Sequence, residues 1–184
     1  MGKRHSKNKK KIRRTLMKEN FKPLHTVVPQ SITVVDGDTV KFRMGEHTFY
    51  VQLIGIDAPA LNSGNIHKSP EPFSIEAKER LDQLLFHQAI DWKIGLHKKL
   101  TDSTKERLLG TIYVNLDGEY VNASHILLSE GLAVPYKGRP GLTKEERVEY
   151  DLLAFEAQRR QLGVYSIPGY VKENGKYNKN NRAV

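Results

Sequence analysis

The sequence predicts an α+β fold in which five short strands curl into an OB-type β-barrel accompanied by three helices. Three observations predict it. Five runs rich in β-branched and aromatic residues are separated by turn signals. One segment of helical period falls between the third and fourth runs, and two more follow the fifth. At 184 residues the chain has room for one ordinary domain, its core and its tails. A barrel of this kind binds oligonucleotides across one face, although fold alone does not give function.

The elements follow in order. SITVV (31–35) and TVKFRM (39–44) read as strands around the Asp36-Gly37-Asp38 turn. Gly45 and Glu46 make a second turn, and HTFYVQLIGI (47–56) is a third strand. Residues 57–72 form a long loop, of a length that is usually functional or mobile. Ser74 is placed to cap a helix over 75–87, with Ile75, Lys78, Leu81, Leu84 and Leu85 at helical spacing. AIDWKIGL (89–96) is the fourth strand, with Ile90, Trp92 and Ile94 on one face, and LLGTIYVN (108–115) is the fifth. Asn122 caps a helix over 123–130 that stops at Gly131. Thr143 and Glu146 form a capping box for a helix over 144–162, with Val148, Leu152, Phe155 and Leu162 turned inward.

Charge divides the chain into three. Residues 1–20 carry nine Lys/Arg against one Glu, a net +8, and residues 171–184 carry +3. The body between them is near neutral, at −2. The expected organisation is a basic, disordered arm over 1–28, a barrel domain over 29–168 and a flexible basic tail over 169–184. Such arms bind polyanions by counterion release, so Lys9, Lys10, Lys11, Arg13 and Arg14 are candidate nucleic-acid contacts. A solubilising role is the plainer alternative. Cysteine is absent, which removes disulfides, thiolate metal sites and cysteine nucleophiles. The seven histidines form no His-x-x-His or H-E-x-x-H pair, so zinc is not expected. No apolar run reaches the roughly 20 residues of a membrane span, and no apolar stretch follows the charged start. A cytoplasmic monomer without membrane contact is the expectation.

The stretch VVDGDTVKF, followed by VQLIGIDAPA, has two readings. Asp-Gly between apolar runs is turn chemistry. Carboxylates brought together at strand ends are equally what a hard divalent cation needs.

VVDGDTVKF, LIGIDAP, EPFSIEAKERL, YVNASHILLSEGLAVPY and EAQRRQLGVYS, in that order and spacing, resemble the staphylococcal nuclease (thermonuclease-like) family over about residues 30–166. The resemblance implies one Ca²⁺ at the mouth of the barrel, assisting attack of water on a phosphodiester of DNA or RNA. It places Asp38 and Asp57 as carboxylate ligands, the backbone carbonyl of Ala58 as a third, and Asp36 in the outer shell. Tyr165 stands where the family often has tryptophan, and is read as core packing.

The family's catalytic half departs from its pattern. Three residues after the second ligand aspartate the family carries a glutamate that organises water; here Ala60 stands. Five residues before that aspartate it carries an arginine; here Gln52 stands, with no charge and no guanidinium fork. Losing a positioned base costs about 10²–10⁴ in rate. Arg107 fits the second family arginine, in a loop one residue longer that lacks the family tyrosine. The resemblance puts Lys105 and Tyr136 near the nucleotide pocket. A surface role for Arg107 stays open.

Three functions compete. The first is a nucleic-acid-binding domain with a degenerate active site and weak or absent cleavage. The second is an active calcium-dependent nuclease whose base has moved to Glu71 or His67 in the long loop, against which Glu71 reads more simply as charge at the entry of the first helix. The third is a protein-interaction scaffold.

Overall fold

The computed structural model describes residues 25–27, 31–44, 46–61, 69–99, 107–136, 138 and 141–178. The strands are β1 (His25–Val27), β2 (Ser31–Asp36), β3 (Thr39–Met44), β4 (His47–Leu53), β5 (Ile56–Asp57), β6 (Trp92–Lys99), β7 (Arg107–Leu116), β8 (Glu119–Asn122) and β9 (Val134–Pro135). The helices are α1 (Ser74–Gln83), α2 (Ala123–Ser129) and α3 (Lys144–Arg159).

The main sheet runs β1-β6-β7-β4-β3-β2, with β8 pairing β7. The β4–β7 pair is parallel, with Gln52 opposite Leu109, and the other pairs are antiparallel. The five predicted strands are the five longest, β2, β3, β4, β6 and β7. Alternation carries Val34, Val40, Phe42, Val51, Ile94 and Ile112 into one core against Leu81, Leu84 and Leu127 of the helical layer. Pattern and packing agree here because period-two side chains leave only one face for the core.

Several expectations are corrected. The third strand does not run through to residue 56. It breaks at Ile54 and Gly55, and Ile56–Asp57 turns away to pair with Val134–Pro135 of β9. Gly55 sits at φ 77°, with Leu142 and Tyr150 crowding its Cα, so no side chain fits. Helix α1 has no side-chain cap: Phe73, in left-handed conformation, precedes it, and Ser74 is buried. The helix then relaxes into a π-helical turn, Leu84–Gln88. Ile75 is exposed; Ala77 and Leu81 make its inner face. Ile90 lies ahead of β6, 72% exposed.

The caps at Asn122 and Thr143 hold. Asn122 accepts from Ser124 N at 2.9 Å, and Thr143 and Glu146 make both bonds of the capping box. Helix α3, however, turns Tyr150, Ala154 and Ala157 inward and leaves Val148, Leu152 and Phe155 outside. Small residues let the helix approach its neighbours closely, and the bulky stripe faces the other way.

Described segments of the expected arm and of the expected tail enter the fold. Within the predicted arm, His25–Val27 pairs with β6. Residues 169–178 are not a free tail: Tyr170 and Tyr177 stack at 5.2 Å and join Val134 and Val164 in a second buried cluster. The strap closes on itself through Asn178 N to Tyr170 O and Lys172 N to Lys176 O. Tyr165 bridges both clusters, as core packing requires.

Candidate active site

The turn from β2 to β3 carries the first carboxylates. Its glycine is not there for left-handed backbone. A Cβ on Gly37 would lie 2.6 Å from the Ala77 Cβ and 2.9 Å from the Ala58 Cβ, so glycine lets the turn press against α1 and the strand end. The register also shifts between Val34 and Asp36. Both features seat Asp38 inside, 5% exposed.

Donors converge on Asp38. Its Oδ1 accepts from the Thr39 hydroxyl at 2.8 Å. Its Oδ2 accepts from Gln52 Nε2 at 3.2 Å and Ala58 N at 3.4 Å. Its backbone oxygen accepts from Leu53 N, at the end of β4. Asp38 is thus tied to the chain just before Asp57 by both backbone and side chain. Asp57, on β5, is partly exposed, and Ala58 is buried beside it.

Position 60 is flanked by two carboxylates. Glu71, 6% exposed, accepts from Ala60 N at 2.9 Å, and its own N–H returns to Ala60 O at 3.0 Å. Asp36 accepts from the next amide, Leu61 N, and from Gly37 N at 2.8 Å. Burial pushes Asp36 above the usual carboxylate range; the Asp38 and Glu71 charges add to the rise, against the two amides. Glu71 is therefore not charge at the helix entry. Its carboxylate turns back across the loop to the backbone of the residue where the resemblance puts a glutamate.

Among the described residues the basic side is thinner. Gln52 spends its amide on Asp38. Tyr136 bonds Gly55 O through its N–H, and its ring rests against Gly138. Arg107 opens β7 opposite Tyr50. The Arg107 side chain, Lys105, His67 and Lys9, Lys10, Lys11, Arg13 and Arg14 lie outside the described residues. Among the described residues no three His, Cys, Asp or Glu side chains converge as a ready metal cage. Carboxylate oxygens are what a hard cation takes, and the Asp38 and Glu71 charges that act on Asp36 make this corner of the described structure electronegative.

One contact was invisible in the sequence. The Tyr177 hydroxyl donates to Asp57 O at 2.8 Å, across 120 residues. Burial holds that hydroxyl well above its ordinary pKa, with Asp57 the next contributor, so it stays a donor. Nothing but an isolated tyrosine marked it in the sequence.

Comparison with known proteins addresses the family. The model for the staphylococcal nuclease homologue family matches residues 50–167. The Asp36–Asp38 turn precedes that match and the Tyr170–Tyr177 strap follows it. A Shigella flexneri protein named micrococcal nuclease is 31% identical over 144 residues, 74% of this chain and 72% of that protein. A probable endonuclease of Schizosaccharomyces japonicus is 30% identical over 138 residues, 73% of this chain and 57% of its own length. A probable endonuclease of Schizosaccharomyces pombe is 30% identical over 128 residues, 67% of this chain and 52% of its own. An oxygen-lined turn beside Asp57, the strand order of a curled barrel and the extent of these matches lead to one conclusion: the chain belongs to the staphylococcal nuclease homologue family.

Proposed function

We propose that this chain binds DNA or RNA at the barrel mouth around Asp38 and Asp57, with Ca²⁺ between protein and phosphate, and that it cleaves the phosphodiester slowly or not at all. The observation that carries this reading is the Gln52 amide on Asp38 Oδ2 at 3.2 Å. A family arginine at this position would neutralise charge growing on phosphorus. Here the side chain is neutral and its donor is directed to a candidate cation ligand. Asp38, Asp57 and the Ala58 carbonyl would hold the ion, with Asp36 beside its water shell. Once held, the ion would supply positive charge against a phosphate, and Arg107, Lys105 and Tyr136 would extend the contact with the nucleic acid. The basic residues 1–20 add sequence-independent affinity.

A second reading rests on Glu71. Its carboxylate and that of Asp36 flank the 60–61 backbone, close to where a displaced base would act. In that reading the chain is an active calcium-dependent nuclease.

Single-stranded DNA and RNA incubated with the purified chain, with calcium or with a chelator, decide between them. The first reading expects salt-sensitive binding, and any slow calcium-dependent cleavage to fall in Asp38→Ala but to persist in Glu71→Gln. Calcium-dependent cleavage lost in both variants overturns it in favour of Glu71. Binding indifferent to salt and to calcium removes both readings and leaves a scaffold.

A further inference from the structure

Helix α3 has an outer face that stays exposed among the described residues. Val148, Leu152 and Phe155 are 59%, 55% and 58% exposed. Their spacing puts them on one stripe of the helix, opposite the buried Tyr150, Ala154 and Ala157. The stripe continues to Glu145 at the N-terminal end and Arg159 at the C-terminal end, in alternating steps of three and four. That is the spacing of a helix–helix seam, with an apolar centre, an acid at one end and a base at the other.

We propose that this face pairs with α3 of a second copy of the chain, antiparallel, across a two-fold axis near Leu152. The charges select this occupant. Leu152 is seven residues from both Glu145 and Arg159. An antiparallel pair therefore brings Glu145 and Glu146 of each copy against Arg159 and Arg160 of the other. A parallel pair would set like charges together. Antiparallel helices also oppose their macrodipoles favourably. The contact is isologous, so a single patch completes it and closes it at two copies. A polyanion gains nothing from an apolar stripe with acids at one end, and a uniformly basic segment would be repelled at the other. Arg159 already meets Glu156 of its own helix at 2.8 Å; both are exposed, and pairing leaves that contact in place.

The seam is short. A 16-residue helix spans about 24 Å, so the buried area falls at the small end of stable interfaces. The dimer is accordingly concentration-dependent. It does not depend on whether the site near Asp38 cuts.

Sedimentation equilibrium of the full chain tests it. A dimer fraction that grows between about 1 μM and about 100 μM is expected. Leu152→Glu with Phe155→Glu should leave a monomer with an unchanged circular dichroism spectrum. Glu145→Arg alone should weaken pairing by about 3-fold to 10-fold, and Glu145→Arg with Arg159→Glu should restore it. The chain has no cysteine, so Leu152→Cys gives a clean second readout. Under a mild oxidant it should form a disulfide dimer faster than Ile90→Cys, at an exposed site elsewhere. A chain that stays monomeric throughout, with Leu152→Cys cross-linking no faster than Ile90→Cys, overturns the proposal. Dimerisation seen only after deletion of residues 1–24 overturns it too, and makes that segment the occupant.

Discussion

The two sides of the candidate site are built unequally. On the carboxylate side, Asp36, Asp38 and Glu71 each accept at least one backbone amide, and Asp38 collects a hydroxyl and a side-chain amide as well. On the basic side, the position opposite Leu109 in the β4–β7 ladder carries a neutral glutamine turned inward. Among the described residues, an anionic cradle held by backbone amides stands beside a neutral side-chain amide, so the two sides depend on different things. Backbone donors hold the cradle by fold alone. Neutralising a phosphate takes a particular charged side chain, which the fold alone does not supply.

The largest test of this contrast rebuilds the weak side. Gln52→Arg with Ala60→Glu should raise calcium-dependent cleavage of single-stranded DNA by about 10²–10⁴, read from the rate of product formation. No gain would show that the deficit lies elsewhere.

Next in size is the strap behind the carboxylate side. Tyr170 is fully buried against Tyr177 and Val134. Tyr170→Ala should cost about 3–5 kcal/mol in urea unfolding and weaken calcium protection with it. If stability fell while the calcium response held, the strap would be structural only.

Alkaline pH reaches the same cluster from the other direction. Burial, with the Asp151 charge, raises the Tyr165 hydroxyl from 10.0 to about 12. The folded chain then holds a proton that the unfolded chain releases, so stability falls as pH rises from 10 to 12. Tyr165→Phe should flatten that decline in thermal melts. An unchanged slope would remove Tyr165 as its source.

The smallest effect is at the hydrogen bond itself. Tyr177→Phe should cost about 0.5–1.5 kcal/mol, because Asp57 O loses its hydroxyl donor while the ring stays packed. The calcium-induced rise in melting temperature should shrink in parallel; a full response would separate the strap from the cation site.

Particular residues show what was legible in advance. The strand alternation, the Asn122 cap and the Thr143–Glu146 box could be read directly, because each depends on neighbours within a few residues. The DGD turn was legible as a place, but its glycine was not understood: the cause is Ala77 and Ala58 pressing on it, not its own backbone angle. Helix α3 misled for a related reason. Its bulky apolar stripe has helical period, yet Tyr150, Ala154 and Ala157 face the barrel and the stripe faces out. Periodicity identifies a helix and its faces; it does not say which face the rest of the chain will meet.

By itself the sequence determined the order of the five long strands and the three helices, and the family. Those are local or positional facts, carried by residue type and spacing. Only the tertiary structure decided that Glu71 returns to Ala60, that Gln52 turns to Asp38 and that Tyr177 reaches Asp57 O. Each of these contacts joins residues far apart in the chain, and short polar groups meet only after the packed core has fixed the distances between their backbones.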